Sequence, residues 1–205
     1  MNLRHPFIVV IALGVPGVGK TTVLRKLVEM AEKDSIRIKV VNLGDYMLKE
    51  ALRRGYVDQR DRIRYLKLRK QLELQVHAAN AIIEEALKEL GEGDILIIDT
   101  HAVIKTSIGF WTGIPRILME TFKPDVLVVI EASVEEIISR QQRDKSRFRK
   151  DIAKPEIVRS LIEQTRMLAF AAALITSSLV KIVENKEGQV EETAKIILDT
   201  LKGLI

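Results

Sequence analysis

Residues Gly14 to Thr22 read Gly-Val-Pro-Gly-Val-Gly-Lys-Thr-Thr. Their spacing is G-x-x-x-x-G-K-[ST], with Gly14, Gly19, Lys20 and Thr21 in the specified places, and its chemistry is the cradling of a triphosphate. Glycines let the backbone curl until several N–H groups converge on phosphate oxygens. A helix starting at the end of the loop adds about half a positive charge at its N-terminus. Lys20 is placed to reach β- and γ-phosphates, and the Thr21 hydroxyl to ligate Mg²⁺. The loop Gly14, Val15, Pro16, Gly17, Val18, Gly19, Lys20, Thr21 and Thr22 is therefore assigned to binding a nucleoside triphosphate, read as ATP.

Such a loop works only between a strand and a helix, and both are legible. Before it lies the unbroken apolar run Phe7–Leu13, the pattern of a strand buried on both faces. After it, Val23, Leu24, Leu27, Val28 and Ala31 fall at helical spacing. Further strand candidates are Ile36–Leu43, Asp94–Asp99, Asp125–Glu131 and Leu179–Asn185. Helices are predicted over Gly19–Lys33, Asp45–Arg54, Arg60–Leu90, Val134–Arg143, Lys154–Ser178 and Glu191–Leu204. Short apolar strands alternating with helices predict an α/β fold with a parallel sheet covered on both faces. Ligands of such sheets bind beyond the carboxyl ends of the strands, so the residues following each strand are the candidate site.

Strand two runs into Gly44-Asp45, followed by Arg53 and Arg54. Asp45 suits either a carboxylate complementing a helix N-terminus or a contact with a second substrate or a metal's water shell. Strand three closes on Asp99-Thr100-His101. An apolar strand ending in aspartate suits Mg²⁺ held through water beside the loop threonine, which makes Thr21 and Asp99 the metal candidates. His101 is either a base or, since phosphoryl transfer demands positioning above all, a hydrogen-bonding side chain. Arg140, Arg143, Arg147 and Arg149 fall within ten residues. Such a run suits a solvated face or a lid whose guanidinium forks clamp a transferring phosphoryl group. Trp111, in Gly109–Pro115, is read as part of a loop that caps the core or shapes an acceptor pocket.

The 205-residue chain fits one domain, and 47% hydrophobic residues suffice for its core. It has no cysteine, which removes disulfides and thiol chemistry and fits a cytoplasmic setting. The first strand begins close to Met1, which leaves no room for a signal peptide. Met167–Ile175, the longest apolar stretch, is too short to span a bilayer and reads as a buried helix. A net charge of +5 suits a polyanionic ligand, while only 4% aromatics argues against a nucleic-acid surface. A regulatory GTPase would carry Asp-x-x-Gly and Asn-Lys-x-Asp. The corresponding stretches here are Asp99–Ala102 and Asn185–Gly188, and each misses its last residue. An ATPase or assembly factor acting on RNA or protein stays open, as does a kinase with another acceptor base.

The loop Gly14–Thr22, Gly44-Asp45, Ile98-Asp99-Thr100-His101-Ala102, Gly113-Ile114-Pro115 and Arg140-Gln-Gln-Arg143-Asp144, in this order, resemble the archaeal type of adenylate kinase over essentially the whole chain. The resemblance implies a three-layer P-loop NTPase fold with a five-stranded parallel sheet and a short lid at about 143–151. It implies a monophosphate-binding segment at about 44–64, ATP and AMP as substrates, Mg²⁺ and a homotrimer. Within it, Lys20, Arg140, Arg143, Arg147 and Arg149 are the expected catalytic residues. Asp45, Arg53, Arg60, Arg64 and His101 are the candidates for the acceptor. The chain departs from the bacterial adenylate kinases in lacking a long lid insertion, and Asp99-Thr-His stands where they have Asp-Gly-Phe-Pro-Arg.

Overall fold

Unbroken apolar runs make central strands because a strand covered on both faces has no side left for solvent. The structure is a computed structural model that describes residues 3–106, 109–143 and 154–205, without the side chains of Arg60, Asp61 and Arg64. In chain order its elements are β1 (Ile8–Leu13), α1 (Lys20–Lys33), β2 (Ile38–Asn42), α2 (Leu43–Arg53), a 3-10 helix (Arg60–Tyr65) and α3 (Leu68–Glu89). These are followed by β3 (Ile95–Asp99), β4 (Val103–Thr106), β5 (Gly109–Thr112), α4 (Arg116–Phe122) and β6 (Val126–Glu131). The chain ends with α5 (Val134–Arg143), α6 (Pro155–Thr176), β7 (Leu179–Glu184) and α7 (Val190–Lys202).

Five strands form one parallel sheet in the order β2-β3-β1-β6-β7. The side chains of Val9–Leu13, Ile95–Ile98 and Val126–Ile130 on its three central strands are at most 1% exposed. Helix α1 packs against α7, while α3, α4 and α6 form a second contiguous group, so the sheet is the middle of three layers. The chain leaves β1 toward the β2 edge and later crosses to β6 on the other flank of β1. The switch point therefore lies at the end of β1, where the glycine loop begins. Register places Asp99 of β3 beside Ala12 of β1, two residues before Gly14.

Four expectations need correction. The helix expected over Arg60–Leu90 is two elements, because Leu66 (ψ 152°) and Lys67 (ψ 140°) are extended. No glycine or proline marks the break, so periodicity reads through it. Trp111, expected in a loop, is in β5, which pairs antiparallel with β4 and sets Ile104 opposite Trp111. The helix expected from Asp45 starts at Leu43, leaving Asp45 exposed in its first turn. The run Met167–Ile175 is not buried. Ala169, Ala172 and Ala173 face inward, whereas Met167, Phe170 and Leu174 are 65%, 57% and 86% exposed. A helix apolar on all sides buries only the face that meets the sheet. Among the described residues no helix is long and apolar enough to cross a membrane.

Candidate functional site

The loop after β1 holds its shape through its own turns and through side chains that grip its carbonyls. Gly17 and Gly19 adopt positive φ, 101° and 86°, a region open mainly to glycine. Gly19 also caps α1, and a Cβ there would lie 2.5 Å from Asn185 Nδ2. Gln141 Nε2 donates to the Pro16 carbonyl at 2.6 Å, and Asn185 Nδ2 to the Val18 carbonyl at 2.7 Å. Arg140 Nη1 also donates to Val18, at 3.1 Å. In a trans peptide the C=O and the next N–H point in opposite directions. Drawing the Pro16 and Val18 carbonyls outward therefore sends the Gly17 and Gly19 amides the other way. Gly17, Val18, Gly19, Lys20 and Thr21 line a cavity of about 360 Å³ at the sheet's carboxyl edge.

Lys20 is buried at the floor of this cavity, where its ammonium pairs with the Asp99 carboxylate and donates to the Thr100 carbonyl. Asn42 Nδ2 donates to the other Asp99 oxygen at 2.8 Å. Burial opposes ionisation of Asp99. The Lys20 charge and hydrogen bond, with Asn42, outweigh it and hold the carboxyl below its usual range. His101 shares a hydrogen bond between Nδ1 and the Gly14 carbonyl, 2.8 Å long, so it ties the end of β3 to the start of the loop. Thr21 and Asp99 both face the cavity. They offer hard oxygen donors, the kind Mg²⁺ prefers, and Asp99 stays ionised. No group of three or more His, Asp or Glu among the described residues could hold a metal on its own. Mg²⁺ completed by water and phosphate oxygens suits that donor set.

The other predicted residues fall less centrally. Arg140 lines the cavity, but its guanidinium also contacts the Asn185 carbonyl (3.1 Å), Glu136 (3.4 Å) and Glu187 (3.2 Å). Arg143 is exposed and pairs with Glu187 at 3.3 Å. Arg147, Arg149 and most of the lid lie outside the described residues. Arg53 is exposed and engaged with Glu50 through two 2.8 Å bonds, and neither it nor Asp45 lines the cavity. Arg60 and Arg64 belong to the 3-10 helix, and their side chains are outside the description. Sequence reasoning gave no role to Asn42, Gln75 or Gln141, although Gln141 stands inside Arg140-Gln-Gln-Arg143-Asp144, and it placed Asn185 only in a turn after a strand. Position just after a strand was the available signal for Asn42 and Asn185. Nothing in the sequence marked Gln75.

A strand, a glycine loop and a helix opening at the carboxyl edge of a parallel sheet, with a lysine–aspartate pair on the floor, define a P-loop nucleotide-binding protein. A sequence-family model described as an AAA domain matches residues 13–158. Adenylate kinases of Sulfurisphaera tokodaii and Saccharolobus solfataricus are each 44% identical over 191 residues, covering 93% of this chain and 97% of theirs. That of Thermococcus sibiricus is 38% identical over 197 residues, covering 94% and 95%. The chain belongs to that AAA-domain family and, more narrowly, to the adenylate kinases. In shape it is similar to a sugar kinase from Janibacter sp. HTCC2649, with a TM-score of 0.57 at 15% identity over 96% of this chain and 95% of the other. A shikimate kinase from Acinetobacter baumannii gives a TM-score of 0.56 at 17% identity over 96% and 94%. At those identities the likeness shows the fold alone.

Proposed function

We propose that the chain transfers the γ-phosphoryl group of ATP reversibly to AMP, giving two ADP. The observation that carries this reading is one cavity with two banks. The phosphate cradle and Arg140 line one side, while Gly44, Met47 and Gln75, from the segment between β2 and β3, line the other. A donor and an acceptor can then meet over Lys20. The loop amides and Lys20 hold the donor phosphates. Thr21 and Asp99 would hold Mg²⁺. Mg²⁺, when bound, neutralises phosphate charge and polarises the transferred group. Arg140 of α5, with Arg143, Arg147 and Arg149 of a lid at about 143–151, closes over that group and excludes water. The segment at about 44–64 receives AMP, with Asp45, Arg53, Arg60, Arg64 and His101 as candidate contacts. No general base is needed, because the acceptor phosphate is already ionised at neutral pH. Incubation of Mg·ATP separately with AMP, CMP, UMP, GMP, dTMP or no acceptor is expected to give ADP in quantity only with AMP, two per ATP consumed. ADP release without any acceptor would replace this reading with that of an ATPase.

The same family reading carries a homotrimer in the cytoplasm. The exposed apolar face of α6 at Met167, Phe170 and Leu174 supports self-association, since three large apolar side chains along one helix face are costly to leave in water. Light scattering is expected to give three times the 23.2 kDa chain mass, and substitution of Leu174 by glutamate is expected to lower it. A wild-type mass equal to one chain would refute the trimer.

A further inference from the structure

Two carboxamide side chains from distant parts of the chain converge on the glycine loop. Gln141, on α5, is 6% exposed, and Asn185, just after β7, is 2% exposed. Each turns its NH₂ toward a loop carbonyl, Gln141 toward Pro16 at 2.6 Å and Asn185 toward Val18 at 2.7 Å. Each leaves its own oxygen, Gln141 Oε1 and Asn185 Oδ1, buried without a hydrogen-bond partner among the described residues. A buried acceptor left unpaired destabilises the fold. An apolar side chain of the same size would avoid that loss, so packing alone does not call for a carboxamide at either place. What Gln141 and Asn185 add is the N–H donor.

The glycines of the loop are fitted to these two side chains. A Cβ at Gly17 would lie 2.9 Å from Gln141 Cγ, and one at Gly19 would lie 2.5 Å from Asn185 Nδ2. Each carboxamide thus grips one carbonyl and lies against the glycine that follows it. The Val18 N–H between them is taken within the loop, by the Val15 carbonyl at 3.3 Å. The peptides Pro16–Gly17 and Val18–Gly19 are therefore the ones turned from outside, and a trans peptide with its C=O drawn out has its N–H turned in. The grip of Asn185 is itself anchored. Its backbone N–H donates to the Glu131 carbonyl at 2.7 Å, and Arg166 of α6 bonds both carboxylate oxygens of Glu131.

We propose that Gln141 and Asn185 are positioning residues for phosphoryl transfer: they hold the Gly17 and Gly19 N–H groups inward in the empty loop, so that the donor triphosphate meets a cradle already formed. Ordering of the loop then takes nothing from the affinity for ATP. This rests on the triphosphate-binding half of the reading above, whatever the acceptor.

Asn185→Leu and Gln141→Met, made separately, keep each side chain's size and remove its donor. Equilibrium binding of Mg·ATP is expected to weaken by about tenfold in each. The KM for AMP at saturating ATP should stay within roughly twofold of wild type. The melting temperature without nucleotide should hold or rise, because each substitution removes an unpaired buried oxygen. The Val18 carbonyl keeps Arg140, and half-buried Pro16 stays open to water. Purely structural side chains would do the reverse, lowering the melting temperature with ATP affinity unchanged, and that result overturns the proposal. A readout on the wild type needs no variant to fold. The carboxamide protons of Gln141 and Asn185 should exchange slowly with solvent in the ligand-free protein. Fast exchange that slows only when Mg·ATP is added would show that the ligand shapes the loop, and would overturn the proposal as well. A wild type that binds no Mg·ATP would overturn the kinase reading and this one with it, whereas equal binding by wild type and both variants would remove only this one.

Discussion

Replacing Lys20 with alanine is expected to lower the rate of phosphoryl transfer by about 10³-fold or more, since it removes the cation at the floor of the phosphate cradle. The buried Lys20 ammonium already contacts Asp99 and the Thr100 carbonyl, so it is held at the base of the loop before a phosphate competes for it. Preorganised charge in a dry site is worth more than the same charge in water. The substitution also changes Asp99. Without Lys20, the chief influence opposing burial is gone and the carboxyl pKa rises from its depressed folded value. Ionised Asp99 stabilises the fold above the unfolded carboxylate pKa, and this contribution is lost as pH falls through the folded value. Raising that value shrinks the contribution and completes its loss at a higher pH. Activity should therefore be measured near neutral pH in single-turnover experiments, with a melting curve alongside. A folded Lys20→Ala protein with near-normal turnover would show that the loop does not carry the chemistry.

Gly113→Ala is expected to be the most destabilising single methyl group near the site. A Cβ at Gly113 would stand 1.9 Å from the His101 carbonyl oxygen. That atom is backbone and cannot swing aside like the end of a long side chain. Gly113 N also donates to the Ala102 carbonyl at 2.9 Å, so the end of the β4–β5 hairpin is fastened at the point where the methyl would intrude. Accommodation would require the hairpin to move from the end of β3, with the His101 contact to Gly14 disturbed as well. A loss of about 3 kcal/mol is expected, or roughly 6–12 °C in melting temperature for a chain of this size. The KM for AMP should rise in whatever protein remains folded, because Ile104 and Gly113 both wall the cavity. A melting temperature within a degree of wild type would mean that the hairpin moves freely, and its role in shaping the cavity would fall.

The sequence by itself determined the features that act locally. The glycine spacing of Gly14–Thr22, the apolar run before it and the helical stripe after it are short-range patterns, so loop, strand and helix were legible together. So was the parallel sheet, because strands buried on both faces need apolar residues at every position. Asp99 was legible from its place at the end of such a strand. What only the tertiary structure decided depends on which distant elements meet. Asn185 and Gln141 reach the loop from 167 and 125 residues away, and an amide has no periodicity or charge signature that announces such a contact. The split of the long helix at Leu66–Lys67 and the pairing of Trp111 in β5 came from packing that overrides local propensity. Burial of α6 was misread for a related reason. A one-dimensional run records how apolar a helix is, but which of its faces meets the sheet is settled only when the layers are assembled.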